Sequence, residues 1–93
     1  MQYRVLQTKK FLKALRRVKQ NRSFKPDRLK DIVRLLSYGE ELSHRYHDHQ
    51  LHGDMFGYRE CHLAPDILLI YEIDEDIVTL TLLNIGKHSK LFK

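Results

Sequence analysis

Histidine is the residue type best suited to chemistry in this chain, and its distribution is uneven. All 6 histidines lie at or after position 44, and four of them fall within the segment from His44 to His52. Imidazole is a common ligand of zinc, nickel and copper. The spacing matches no standard zinc motif, however, and Asp48 is the one obvious carboxylate ligand nearby. We therefore expect no metal and no other cofactor, and we interpret the segment as a histidine-rich binding loop.

Two further histidines are placed where strands are predicted to end. His62 lies four residues before Asp66, with Pro65 bending the chain between them, and His88 follows the last predicted strand. Adjacent strand ends of an antiparallel meander can bring His62, Asp66 and His88 together. A single histidine on a half-buried strand is more often just a hydrogen-bonded polar residue. The grouping is therefore a hypothesis that depends on topology.

These residue types suit the cleavage of RNA without a metal. That reaction needs a general base for the ribose 2′-hydroxyl, a general acid for the leaving 5′-oxygen, and positive charge near the phosphate in the transition state. Histidine can take either proton-transfer role near neutral pH, and a neighbouring carboxylate can orient it. The composition permits a ribonuclease of this kind but does not require one.

The first half of the chain predicts a short strand and two amphipathic helices. Weak alternation over residues 3–6 indicates the strand. Thr8 is the expected N-cap of the first helix, Pro26 lies in the expected first turn of the second, and Gly39 is expected to end it. Both helices repeat their apolar residues at helical spacing: Phe11, Leu12, Leu15 and Val18 in the first, and Leu29, Ile32, Val33 and Leu36 in the second.

The second half predicts three strands after a long polar loop over residues 40–57. The strands cover residues 58–63, 67–73 and 77–85, and Gly86 is expected to end the last one. Tight turns between them make an antiparallel meander. The order β-α-α-β-β-β over residues 1–93 predicts a single α+β domain, with two helices packed on one face of a small, mainly antiparallel sheet. The other face is expected to be open to a ligand.

Positive charge is concentrated in the first half. The 93 residues carry 17 Lys+Arg and 12 Asp+Glu, a formal net charge of +5. Residues 1–45 hold 13 basic and 4 acidic side chains (+9), whereas residues 46–93 hold 4 and 8 (−4). This balance indicates an anionic partner, such as nucleic acid or an acidic protein, although charged helix faces are often only solvated. The candidate binding cations on the first helix are Lys9, Lys10, Lys13, Arg16 and Arg17.

The cysteine count and the length of the apolar runs indicate the cellular compartment. The 1 cysteine, Cys61, cannot form an internal disulfide, which fits a reducing cytoplasm. No apolar run approaches the roughly 18 residues that a membrane span needs, and residues 1–6 lack the apolar core of a signal peptide. We therefore expect a cytoplasmic protein without a membrane partner.

Four segments of the second half together form a pattern that is specific to one family. They are HDHQLHG at 47–53, GYRECHLAPD at 57–66, LLIY at 68–71 and GKHSKLF at 86–92. In this order they resemble the YafQ branch of the RelE/ParE toxin superfamily. The resemblance implies a RelE-like fold and a type II toxin that acts as a ribosome-dependent endoribonuclease, cutting mRNA in the A site and inhibiting translation. It also implies a cognate antitoxin that holds the toxin inactive, and operator DNA as a partner only through the toxin–antitoxin complex.

The resemblance also implies roles for individual residues. His49, His62, Asp66 and His88 match the catalytic positions of the family, and Phe92 matches an aromatic residue that follows them. Two positions depart from the family: Ile67 stands where a tryptophan can stack on a base, and Asn84 stands where an arginine often steadies phosphate charge. Among the cations, we prefer Lys87 as the residue that takes over the role of this arginine, because strand alternation places Arg59 on the face opposite His62.

Other functions stay open at the level of sequence. A gyrase-directed toxin shares the fold, but that branch lacks a histidine-rich site. A non-enzymatic RNA-binding module could use the basic helices, and a metal-binding protein could use the histidine loop. The basic helices themselves could bind ribosomal RNA, the acidic antitoxin, or both in turn.

Overall fold

The first half of the protein folds as predicted, with a strand followed by two helices. The computed structural model describes residues 2–91 and contains β1 (Arg4–Gln7), α1 (Lys9–Val18) and α2 (Pro26–Ser37). Thr8 caps α1, because its side-chain oxygen accepts a hydrogen bond from the backbone N–H of Phe11 at 3.0 Å. This satisfies one of the backbone donors that the first helical turn leaves without a partner.

Gly39 terminates α2 through a backbone conformation that glycine adopts easily. Its φ is +77°, in the left-handed region. The Gly39 N–H donates to the carbonyl of Leu36, and the Glu40 N–H donates to that of Leu35, both at 3.0 Å. Two such bonds around a left-handed glycine form a Schellman motif, so the predicted end of the helix is confirmed.

The remaining strands join β1 in one five-stranded sheet. They are β2 (His49–Gln50), β3 (Arg59–Ala64), β4 (Ile67–Asp74) and β5 (Thr79–Lys87), and the strand order is β1-β5-β4-β3-β2. β1 pairs with β5 in parallel, and all other pairs are antiparallel. The predicted α+β class and the mainly antiparallel sheet are therefore confirmed.

Three local features differ from the expectation. The segment predicted as a long loop contains β2 and two single-turn 3₁₀ helices, at His44–Tyr46 and Gly53–Met55. Gly86 does not end β5, because it pairs with Leu68 and the strand continues to Lys87. The predicted tail begins with a helical turn, α3 (His88–Leu91). Elements this short carry no periodic signal. β2 and the first 3₁₀ turn contact β3, and α3 contacts β5.

The central strand β4 is buried on both faces. Ile67, Leu69 and Tyr71 face the helices and belong to the main core, together with Phe11 and Ile32. Leu68 and Ile70 alternate to the other face, where each is only 1% exposed. The expectation of an open second face is therefore wrong over β4, because that strand lies in the middle of the sheet and is covered on both sides.

No helix within residues 2–91 is long and apolar enough to cross a membrane.

Candidate active site

His49 is held by a buried glutamate on the neighbouring strand. The antiparallel register of β2 and β3 places His49 opposite Glu60. The Nε2 atom of His49 lies 2.6 Å from Oε1 of Glu60, and the Glu60 side chain is 8% exposed against 53% for His49. The Nδ1 atom of His49 lies 3.3 Å from the backbone carbonyl oxygen of Gln50. The imidazole thus links a buried carboxylate to the protein surface.

His62 and His47 form a second histidine pair beside the first. Their ring centroids are 5.3 Å apart, and the rings meet edge to face at 67°. Burial lowers the pKa of His62 below its ordinary value, and the charges of His47 and His49 lower it further, against partial opposition from Glu60. A half-buried histidine with a lowered pKa is neutral at pH 7, so His62 can accept a proton.

His47 owes its position to an unusual backbone conformation. It follows the first 3₁₀ turn with φ +49° and ψ +43°, in the left-handed region. For a residue other than glycine this conformation costs roughly 1–2 kcal/mol, and it persists only where surrounding contacts hold it. The next residue provides those contacts.

Asp48 fastens the histidine loop to the sheet. Its carboxylate accepts a hydrogen bond from Arg59 Nε at 3.1 Å and another from the Tyr71 hydroxyl at 2.7 Å. Burial and the bond to Asp48 raise the pKa of Tyr71, so this hydroxyl stays protonated and donates. Arg59 and Asp48 are therefore structural, and Arg59 is engaged away from His62 as strand alternation predicts.

The histidine cleft is a depression of about 670 Å³ beside the edge of β3, where β2 no longer covers it. Two arginines line it with the histidines. One Nη atom of Arg28 donates to the Leu63 carbonyl at 3.0 Å. Arg45 donates to the Tyr46 hydroxyl at 2.8 Å, and its guanidinium lies 4.9 Å from the centre of that ring. The lining residues are Arg28, Arg45, Tyr46, His47, His49, His62, Leu63, Ala64 and Pro65.

Asp66 and His88 lie at the same end of the sheet as His62. The register pairs His62 with Leu68, Leu68 with Gly86, and Ile67 with Lys87. Asp66 is exposed in the β3–β4 turn, and His88 is exposed at the start of α3. The three residues thus lie at the ends of neighbouring strands, and their grouping into one site stays a prediction.

The basic groove lies between α1, β5 and α3 and has a volume of about 390 Å³. Asn84 lies in this groove, and its Oδ1 accepts a hydrogen bond from the backbone N–H of Ile85 at 2.9 Å. Lys9 and Arg16 are exposed elsewhere on α1. The lining residues include five cations and no acid: Lys10, Lys13, Ala14, Arg17, Val18, Asn21, Asn84, Ile85, Gly86, Lys87, Lys90 and Leu91.

The two depressions approach one another at one end of the sheet. Ala64 of the histidine cleft pairs with Ile67, which pairs with Lys87 of the basic groove. Two strand spacings separate Ala64 from Lys87, which is about 10 Å.

The sequence-predicted residues are only partly gathered in one place. His49 and His62 share the cleft, Asp66 and His88 share its end of the sheet, and Lys87 and Asn84 line the groove. Phe92 lies outside the described residues. Sequence reasoning missed four site residues: His47, Glu60, Arg28 and Arg45. The alternation of Glu60 with His62 was visible along the strand, but its pairing with His49 depends on β2, which was not predicted.

Within residues 2–91, no group of three or more His, Cys, Asp or Glu side chains is arranged to hold a metal ion. Cys61 is fully buried, and burial raises the pKa of its thiol, which keeps it protonated and unreactive. The polar side chains of this site carry imidazole, carboxylate and guanidinium groups.

Known proteins share this architecture over its whole length. A metal-bound toxin from Helicobacter pylori superposes with a TM-score of 0.88 at 39% identity, covering 99% of this chain and 100% of that one. The toxin of the Escherichia coli DinJ–YafQ toxin–antitoxin complex superposes with a TM-score of 0.87 at 29% identity, with 100% of both chains covered. The fold and the site thus define a small toxin of the RelE-like class.

Sequence comparison identifies the branch of the RelE-like toxins to which the chain belongs. The sequence profile of the family described as the bacterial toxin of type II toxin-antitoxin system, YafQ, matches residues 3–93. The chain belongs to this family. The mRNA interferase toxin YafQ of Escherichia coli K12 is 38% identical over 47 residues, 50% of this chain and 49% of that protein. The chain spans about half the length of the curated relatives it matches.

Proposed function

We propose that this protein is a ribosome-dependent mRNA endoribonuclease that inhibits translation and is held inactive by a cognate antitoxin. The observation that carries the proposal is the histidine cleft, in which His62 and His49 have contrasting surroundings. Burial favours the neutral form of His62, whereas His49 contacts a buried carboxylate. Two such groups in one cleft are what proton transfer to and from a phosphodiester requires. The relative from Escherichia coli is named an mRNA interferase.

The reaction uses the ribose 2′-hydroxyl as nucleophile. His62 takes the hydroxyl proton, the 2′-oxygen forms a bond to phosphorus, and the bond from phosphorus to the 5′-oxygen breaks. His49 gives a proton to that leaving oxygen. The products are a 2′,3′-cyclic phosphate and a free 5′-hydroxyl, and no metal takes part. Each proton transfer of this kind contributes about 10²–10⁴-fold to the rate.

Asp66 and His88 complete the site from the adjoining strand ends. Both are exposed next to the cleft end of the sheet. There Asp66 orients a catalytic histidine or the ribose, and His88 supplies a further proton-transfer group for the scissile phosphate. Phe92 stacks on a base of the mRNA.

The phosphate needs positive charge, which Asn84 does not supply. Lys87 is one source, but it lines the basic groove. Arg45 lines the histidine cleft itself and is preoriented on Tyr46. We therefore assign the transition-state charge to Arg45, with Arg28 beside it, and assign Lys87 to binding of the flanking RNA.

Two substitutions separate these assignments. Arg45→Ala is expected to lower kcat with little change in KM, because charge at the reacting phosphate acts mainly in the transition state. Lys87→Ala is expected to raise KM, because it removes charge from the surface that binds the flanking RNA. The reverse pattern, with kcat lowered only in Lys87→Ala, returns the phosphate role to Lys87.

The basic groove is the proposed docking surface for ribosomal RNA in the A site. Its five cations match a polyanion, and Lys9 and Arg16 extend the charge along α1. The antitoxin occupies the same surface and thereby inhibits the toxin. Operator DNA is bound only through the toxin–antitoxin complex. The structures of the Escherichia coli relative with its antitoxin DinJ support the antitoxin as a partner.

The function is tested by inducing the chain in cells and mapping mRNA ends, with and without the cognate antitoxin. Cuts in frame with codons that disappear with the antitoxin are the expected result. Purified protein should cut mRNA on programmed ribosomes in the presence of EDTA, and it should not cut without ribosomes. DNA-damage signalling without mRNA cleavage would instead identify a gyrase-directed toxin, and absence of toxicity an RNA-binding module.

A further inference from the structure

Glu60 is a buried acid that neither gives nor takes a proton in the proposed reaction. Its side chain is 8% exposed, and among the described residues its Oε2 atom has no hydrogen-bond partner. A buried carboxylate is costly unless it is paired and hydrogen-bonded. The one ion-pair partner the structure gives it is His49, at 2.6 Å. A buried charge held by a single, half-exposed imidazole adds little to stability. The presence of a carboxylate at this position therefore needs an explanation other than stability.

The surroundings of the His49 ring provide that explanation. Both ring nitrogens face acceptors: Nε2 faces the Glu60 carboxylate at 2.6 Å, and Nδ1 faces the Gln50 carbonyl at the longer distance of 3.3 Å. A ring with protons on both nitrogens satisfies both acceptors. The short hydrogen bond holds the ring in place, while the long one is weak enough to be exchanged for a substrate oxygen.

We infer that Glu60 is the positioning residue for His49, holding it as a doubly protonated general acid that delivers its Nδ1 proton. The inference rests on the proposed function. The Nδ1–H bond breaks as the leaving 5′-oxygen takes the proton, and the Nε2–H stays on the imidazole, donated to the Glu60 carboxylate. His49 is then neutral, with its remaining proton at Nε2, and is reprotonated at Nδ1 from water before the next turnover.

The other polar groups around His49 in the cleft include histidines and arginines. His47 and His62 share the cleft with it, and Arg28 and Arg45 line the same depression. Glu60 is the one carboxylate among the described residues that pairs with His49, so it is the group that can hold the ring in a fixed orientation.

Glu60→Gln tests the inference, because the amide oxygen can still accept from Nε2 but carries no charge. We expect kcat for mRNA cleavage on ribosomes to fall about tenfold to a hundredfold, with KM changed less than about twofold. The alkaline limb of the kcat–pH profile should move to lower pH. Glu60→Asp, which keeps the charge, should recover part of the rate. Glu72→Gln, on β4, is the matched control and should cleave as the wild type does.

Nuclear magnetic resonance detects the pairing of His49 with Glu60 without an activity assay. The ¹⁵N shifts of the His49 ring should differ between the wild type and Glu60→Gln at the same pH, because Nε2 donates to a carboxylate in one protein and to an amide oxygen in the other. If the shifts differ in this way but the wild type does not cleave mRNA, the proposed function fails and the pairing stands. If His49 signals and the pH profile are the same in both proteins, the inference is wrong.

Thermal unfolding separates positioning from support of the fold. Glu60→Gln should unfold at or above the wild-type temperature, because it removes a buried charge. His49→Ala leaves that charge without its partner and should unfold at a lower temperature, and adding Glu60→Gln to it should restore the wild-type value. A drop in unfolding temperature in Glu60→Gln that accounts for its reduced activity would make Glu60 merely structural.

Discussion

The histidine cleft and the basic groove are built in opposite ways. The cleft is held by short hydrogen bonds: the Tyr71 hydroxyl donates to Asp48 at 2.7 Å and so fastens the histidine loop, and His49 lies 2.6 Å from Glu60. In the groove, lysines and an arginine on long, flexible stems surround an apolar floor. Proton transfer requires geometry held to a fraction of an ångström, whereas attraction of a polyanion requires only charge. Substitutions should therefore disable the cleft abruptly and weaken the groove by degrees.

The largest effect is expected in the cleft. His62→Ala removes the proposed base and should lower the single-turnover rate of mRNA cleavage on ribosomes by about 10²–10⁴-fold. His88→Ala should abolish growth arrest in the same way. Circular dichroism should show an intact fold for both. Growth arrest and mRNA cleavage by both variants would overturn the histidine mechanism.

Removal of the anchor beneath the cleft should affect stability. Asp48→Ala leaves the Tyr71 hydroxyl and the Arg59 guanidinium without their acceptor, so the free energy of unfolding in urea should fall by about 2–3 kcal/mol. Tyr71→Phe removes one bond only and should cost about 1 kcal/mol. Equal stability of Asp48→Ala and wild type would show that the loop is not fastened in this way.

The groove should respond in a graded, salt-dependent manner. The triple variant Lys10→Ala, Lys13→Ala, Arg17→Ala should bind ribosomes more weakly. The slope of log affinity against log salt should fall by about 0.7–0.9 for each RNA phosphate that the variant no longer neutralises. The control variant Arg22→Ala, Lys25→Ala, Lys30→Ala removes the same charge outside the groove. Equal weakening in both variants would mean that only net charge matters.

Asp66→Asn should have a smaller effect, because Asp66 is exposed in a turn at the margin of the cleft. We expect a severalfold decrease of the cleavage rate, in line with an orienting interaction partly screened by solvent. Unchanged cleavage would reduce Asp66 to a turn residue.

The smallest effect concerns stability against pH. Because burial lowers the pKa of His62 in the folded protein, its contribution to stability is present above the ordinary value of about 6.5. That contribution is lost as pH falls through the lowered pKa. Urea unfolding between pH 7 and pH 5 should therefore show a steeper loss of stability in the wild type than in His62→Gln. Parallel curves would contradict the lowered pKa.

The elements that the sequence predicts well are those that local interactions determine. Thr8 and Gly39 mark helix ends because their own side chain or backbone completes the last hydrogen bonds. The meander followed from strand alternation and tight turns. The motif order also led to the toxin family, and the match over residues 3–93 confirms it.

The elements that were missed depend on interactions between distant segments. β2 has only two residues and exists because it pairs with the edge of β3. The left-handed backbone of His47 is held by Asp48, whose partners lie 11 and 23 residues further along the chain. No window of sequence shows these pairings, so the surroundings of the predicted histidines could not be derived from it.

The sequence by itself determined the two long helices, the strands β1, β3, β4 and β5, the family and the residue types available for acid–base chemistry, because these follow from local spacing and motif order. Tertiary structure decided which groups act together. It brought Glu60 to His49, set His47 against His62, and placed Arg45 in the cleft while Lys87 and Asn84 lie in the groove. Strand register and burial set these distances and desolvation, and both are properties of the folded chain as a whole.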